Sequence, residues 1–137
     1  MQKTTPAQHV VVTGLLRQRG RALMVHRSPH RRWYPDTWDL PGGQVITGEV
    51  PRSALARELH EELGITVDVA GEPFAHVEGA DFRMDVWVID QWIGAPVNAA
   101  PEEHDALAWM RAHELHGLRL ADPRLPQLIN AALGVTE

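Results

Sequence analysis

Three glutamates crowded between positions 58 and 62 give this sequence its clearest chemical potential. Glu58, Glu61 and Glu62 stand beside Arg57, and a glycine pair, Gly42-Gly43, precedes them. On a helix, Glu58 and Glu62 lie one turn apart and Glu61 lies on the other flank of Glu58. All three then share one face within about 100° of arc. Like charges at that spacing repel and destabilise a helix, so the cluster calls for a compensating cation. Clustered hard oxygen ligands suit Mg²⁺ or Mn²⁺. Taken alone, Glu-x-x-Glu-Glu is equally the pattern of a solvated acidic face.

The helix that must position these groups has readable ends. Pro51 suits the first turn, where its missing N–H is not needed. Gly64 suits the left-handed position just past the last turn. A helix from Pro51 to Leu63 is expected, with Leu55, Ala56, Leu59 and Leu63 on the buried face.

The wider stretch is more specific than the glutamates. It reads Gly43, five residues, Glu49, seven residues, then Arg57-Glu58-Leu59-His60-Glu61-Glu62-Leu63-Gly64-Ile65. Seven fixed identities at background frequencies of about 7% each multiply to on the order of 10⁻⁸. The pattern resembles the Nudix box of the Nudix hydrolases at every position. The lead-in Trp38-Asp39-Leu40-Pro41-Gly42 is similar to that of MutT-like members. The resemblance implies an α/β fold, a Nudix-type α/β/α sandwich with a mixed β-sheet. It further implies a metal-dependent enzyme that hydrolyses a phosphoanhydride in a nucleoside diphosphate derivative. The members most similar in pattern favour nucleoside triphosphates, cleaved to a nucleoside monophosphate and pyrophosphate.

By that resemblance Glu58 and Glu62 are metal ligands, Glu61 is a ligand or water-activating group, and the Gly42 carbonyl is a further ligand. Arg57 orients the carboxylates by charge-assisted hydrogen bonds, and Glu49 supports the same network. One more carboxylate outside the box completes the site in MutT-like enzymes, and Glu102 and Glu103 are both candidates. Trp33, Tyr34, Phe74 and Phe82 could stack on a base. Asp122 is either the reader of the base edge or an ordinary N-cap ahead of Pro123. The proline of the ADP-ribose type is absent, since Gly79 and Ala80 stand at that distance. The tyrosine of the dinucleoside-polyphosphate type is absent too, since Asp81 and Phe82 stand there. An ADP-ribose or nucleotide-sugar pyrophosphatase, or a non-catalytic nucleotide-sensing module, is the alternative.

Length and charge set the outer bounds. The 137 residues fit one domain, 1–137, with no composition shift or repeat. A net charge of −5 argues against a nucleic-acid polymer or an anionic membrane as partner. An anionic nucleotide would then need local neutralisation by metal. No targeting segment is expected at the N-terminus. The absence of cysteine is compatible with a cytoplasmic protein, expected as a monomer or homodimer. His113 and His116, with His104 nearby, could suggest zinc. With no third well-spaced ligand, solvent-facing histidines are the expectation.

The remaining elements follow from pattern. Residues 1–7 read as a frayed polar end. His9–Leu16 and Ala22–His26 read as a hairpin. Ser28–Asp36, with Arg31, Arg32, Trp33 and Tyr34, reads as a functional loop whose arginines could meet phosphates. Strands are expected at Thr66–Ala70, Pro73–Glu78, Phe82–Trp92 and Ala106–Met110, with Val86–Ile89 in a central strand covered on both faces. A helical turn is expected at Ala112–His116 and a last helix at Pro123–Leu133.

Overall fold

The computed structural model describes residues 9–134; the expected frayed end at residues 1–7 lies outside the described residues. Seven strands and two helices follow the chain: β1 (His9–Gln18), β2 (Arg21–Arg27), β3 (Trp38–Asp39), β4 (Gly42–Gln44), α1 (Pro51–Leu63), β5 (Ala75–Glu78), β6 (Phe82–Ile89), β7 (His104–Met110) and α2 (Leu125–Leu133). A 3-10 turn occupies Ala112–Leu115, where a helical turn was expected.

The sheet is mixed. Its order is β3-β2-β1-β6-β5, with β4 also on β1 and β7 also on β2. β1 and β6 run parallel over eight residue pairs, from His9↔Phe82 to Leu16↔Ile89, and the other strand pairs are antiparallel. β6 is therefore interior, as its apolar run requires.

Alternation along β1 divides the core. Val12 and Leu16 face α1 and pack with its Ala54, Leu55, Leu59 and Leu63, together with Trp87 and Ile89. Leu15 faces the opposite side, where Leu125, Ile129 and Ala132 of α2 pack with Met84 and Val86. The result is helix, sheet, helix. Leu55, Leu59 and Leu63 are fully buried, and each such side chain contributes about 1.5–3 kcal/mol. That outweighs the few tenths of a kcal/mol by which each like-charge pair on the helix opposes it. Hydrophobic burial thus lets α1 carry a cluster of negative charge.

Several boundaries depart from expectation. Ala54, not Ala56, completes the fully buried stripe of α1. Thr66–Ala70 forms no strand: Thr66 makes a single bridge to Ile93, while Val67 and Val69 simply pack on the α1 core. α2 begins at Leu125 with Arg124 in the N-cap position, so Pro126, not Pro123, occupies the first turn. Asp122 is not the cap. Its Oδ1 accepts the Arg124 backbone N–H at 2.8 Å in a turn before the helix. β3 and β4 were not anticipated, because two- and three-residue strands containing paired glycines carry no alternation to read.

Candidate active site

A cleft of about 420 Å³ opens on the α2 side of the sheet, between the 28–37 loop, the β6 start and the box. At its floor β4 pairs with β1, placing Gly42 opposite Thr13 and Gly43 opposite Val12. The glycines are required here. Gly42 has φ +155°, and a Cβ on it would lie 2.0 Å from the Val12 carbonyl oxygen. A Cβ on Gly43 would lie 2.4 Å from the Glu58 carboxylate. Only bare backbone can approach the helix acid this closely.

The box carboxylates occupy unequal environments. Glu62 is 2% exposed, at the buried edge of α1. Its Oε1 faces the Gly42 N–H at 3.4 Å and His104 Nε2 at 3.7 Å. Burial, followed by the neighbouring Glu58, holds its carboxyl well above the ordinary carboxylate range. Glu58 lines the cleft. The side chain of Glu61 is 56% exposed and does not line it. The even face that helical spacing suggests is therefore graded from buried to exposed.

Arg57 ties the group together. Nε and Nη2 grip Glu49 at 2.8 and 3.0 Å, Nη1 donates to Glu58 at 3.1 Å and Glu61 at 3.2 Å, and Nη2 also reaches the Gln44 carbonyl. The Glu49 hydrogen bonds raise the guanidinium pKa further still and hold the Glu49 carboxyl below its usual value. Glu49 in turn accepts the Ile46 N–H, fixing the loop ahead of the helix. Arg57 thus makes charge-assisted hydrogen bonds to Glu49, Glu58 and Glu61.

Glu103 lines the cleft and Glu102 does not, so the structure separates the two candidate acids. Arg31 holds that segment through the Glu103 carbonyl at 3.1 Å and its carboxylate at 3.7 Å. Trp33, Tyr34, Phe82 and Asp122 also line the cleft, whereas Phe74 is exposed elsewhere. Arg32 lies over the Trp33 ring and is not in the lining.

Arg27, Thr13, Asp39 and His104 are among the lining residues not singled out from sequence as cleft residues. Arg27 lies at the end of β2 and donates to the Trp33 and Tyr34 carbonyls. Thr13 is buried beneath the glycines. Asp39 receives the Leu40 N–H at 2.8 Å, and desolvation pushes its carboxyl up to about 6. His104 is not solvent-facing: it is 3% exposed, its Nδ1 has no partner, and burial lowers its pKa to about 4. The Trp38-Asp39 lead-in and the Glu103-His104 pair were the available signals. His113 and His116 line a separate groove, so the three histidines form no common site. Among the described residues no three His, Asp or Glu side chains are gathered as a metal cage.

The sandwich and this box define a class, and comparison with known proteins states it directly. The NUDIX domain model matches residues 5–131, so the chain belongs to the Nudix hydrolase family. It is an enzyme of the pyrophosphohydrolase type that the family comprises. The chain is 31% identical over 121 residues to the CTP pyrophosphohydrolase of Escherichia coli K12, covering 86% of this chain and 87% of that one. It is 26% identical over 93 residues to the 8-oxo-dGTP diphosphatase of the same organism, covering 63% and 69%. A crystal structure of a MutT NUDIX hydrolase from Burkholderia pseudomallei superposes with a TM-score of 0.76 at 25% identity, covering 95% and 98%.

Proposed function

We propose that this protein is a Mg²⁺- or Mn²⁺-dependent nucleoside triphosphate pyrophosphohydrolase, releasing a nucleoside monophosphate and pyrophosphate. The observation that carries the reading is the pair Glu58 and Glu62 set against side-chain-free backbone at Gly42-Gly43, at the floor of a nucleoside-sized cleft.

The residues fit a divalent cation. Glu62 is a desolvated acid beside a second acid, costly to ionise until a cation joins them. Glu58, Glu62 and the Gly42 carbonyl would hold it, with Glu103 completing the set and Glu61 serving from the exposed side. When bound, such an ion neutralises phosphate charge and lowers the pKa of coordinated water.

The chain's own side chains do the rest. Arg57 holds Glu58 and Glu61 in fixed orientation. Arg27 and Arg31 lend positive charge to the phosphate end of the cleft. Trp33 and Tyr34 on one wall and Phe82 on the other bracket a base.

Asp122 reads the base edge in this proposal. Arg124 holds it by three hydrogen bonds of 2.8–2.9 Å and lowers its pKa. Locked as a carboxylate, it offers only acceptor capacity. It therefore favours bases that present an amino group, such as cytosine or guanine, over thymine. The relatives named for CTP and 8-oxo-dGTP support that class.

A panel of canonical and oxidised nucleoside triphosphates, nucleotide sugars and ADP-ribose, assayed with Mg²⁺ and a coupled pyrophosphatase, tests the reading. Triphosphates of amino-bearing bases should give the highest kcat/KM. Preference for ADP-ribose or nucleotide sugars would overturn it.

A further inference from the structure

The geometry points to His26 as a positioning residue that bridges the two walls of the cleft. This inference rests on the nucleotide reading above for its kinetic consequence. Both ring nitrogens of His26 face carboxylates: Nδ1 is 2.6 Å from Asp105 Oδ1, and Nε2 is 3.1 Å from Asp36 Oδ1. Asp36 ends the loop that carries Trp33 and Tyr34. Asp105 follows Glu103 and His104 at the start of β7. One side chain thus joins the aromatic wall to the strand that brings in the extra carboxylate.

A carboxylate only accepts, so the two contacts are made by ring nitrogens acting as donors. The surroundings are consistent with a fixed ring. The His26 side chain is 17% exposed, and Trp38 of β3 meets the ring edge-on at 5.0 Å. Asp36 uses its other oxygen for Arg119 at 3.3 Å. On its own strand the neighbouring charge is Arg27, which is committed to the Trp33 and Tyr34 carbonyls.

The loop needs an anchor. Tyr34 and Asp36 both adopt positive φ, +51° and +58°, conformations that side chains other than glycine rarely hold unless their surroundings enforce them. The anchoring carboxylates are about half exposed. Pairs so exposed contribute little to global stability. Their consequence is placement of the aromatic wall, which alters substrate binding, while Glu58 and Glu62 stay where they are.

The test uses the full-length chain as wild type, His26→Gln, Asp36→Asn and the double variant. Glutamine keeps one donor and so holds only one wall. His26→Gln should raise KM for the preferred triphosphate about fivefold or more, with kcat within about twofold, the signature of lost ground-state binding. The double variant should be no worse than the worse single one, because both break the same bridge. Amide exchange should quicken in peptides spanning residues 28–37 and stay unchanged in α1. Unchanged KM and unchanged loop exchange would overturn the proposal, as would a fall in kcat at constant KM. If wild type turns over no nucleotide, the functional reading fails, and the exchange comparison still decides the bridge.

Discussion

Glu62→Gln separates the catalytic from the structural demands on the box. Glu62 is 2% exposed, and its Oε1 meets the Gly42 N–H at a long 3.4 Å. Glutamine keeps the volume and keeps an acceptor for that N–H, so no cavity is opened and the Gly42 donor stays paired. What disappears is a buried carboxylate next to Glu58. Its raised pKa makes the sign of the linkage explicit: the metal-free wild type is unpenalised below the ordinary carboxylate value and loses stability as pH rises through the raised one. The metal-free variant should therefore be the more stable at pH 7, by ~1 kcal/mol on the scale of ordinary single-site effects, or about 3 °C in Tm. Turnover should move the other way. Loss of an outer partner of a metal ligand costs about 10–100-fold, so loss of a direct ligand should cost at least about 100-fold in kcat, ~2.7 kcal/mol of barrier. Thermal unfolding in EDTA and steady-state kinetics in saturating Mg²⁺ measure the two halves. A variant with kcat near wild type refutes the ligand role. One less stable than wild type in EDTA refutes the electrostatic argument.

Other outcomes follow from the same geometry. Glu103→Gln should reduce kcat/KM by about tenfold or more, while Glu102→Gln, outside the cleft, should stay within about twofold; the reverse order would exchange their roles. Arg57→Gln should lower kcat by about 10–100-fold through misoriented acids, and normal kinetics would show that Glu49 and Arg57 are merely a surface pair. Asp122→Asn gains a donor and should narrow the preference for amino-bearing bases, measured as relative kcat/KM across four triphosphates; unchanged ratios would remove Asp122 from base reading. Asp39→Asn should stabilise the metal-free protein at pH 7 by at most ~3 kcal/mol, from a carboxyl raised from 3.8 to about 6. Asn keeps the acceptor for Leu40. The difference should vanish below about pH 4, where both forms are neutral, and thermal unfolding across pH would expose a failure.

The sequence made α1 legible because three independent signals agreed: Pro51 at the start, Gly64 with φ +71° at the end, and leucines at helical spacing between them. The central placement of β6 was legible from its unbroken apolar run. β4 was not legible, because Gly42-Gly43-Gln44 pairs with β1 only through long-range contacts. The start of α2 was misread for a local reason. Asp-Pro mimics a cap, yet Arg124 captures Asp122 first, and the helix begins two residues later than Pro123. At the site, residue identity gave the carboxylates but not their depth. Only packing distinguishes buried Glu62 from exposed Glu61, or cleft-lining Glu103 from Glu102. His104 was expected to face solvent and His26 was not singled out, because a histidine's function depends on what faces its ring nitrogens, and those partners lie far away in the chain.

Hydrolysis between the α and β phosphorus atoms should be under the control of a divalent ion held by the box. ³¹P NMR of the products formed from the preferred nucleoside triphosphate, with Mg²⁺ and again with excess EDTA, tests it most directly. Nucleoside monophosphate and pyrophosphate should form in equal amounts with Mg²⁺, with no turnover in EDTA. Nucleoside diphosphate with orthophosphate, or turnover undiminished by EDTA, would contradict it.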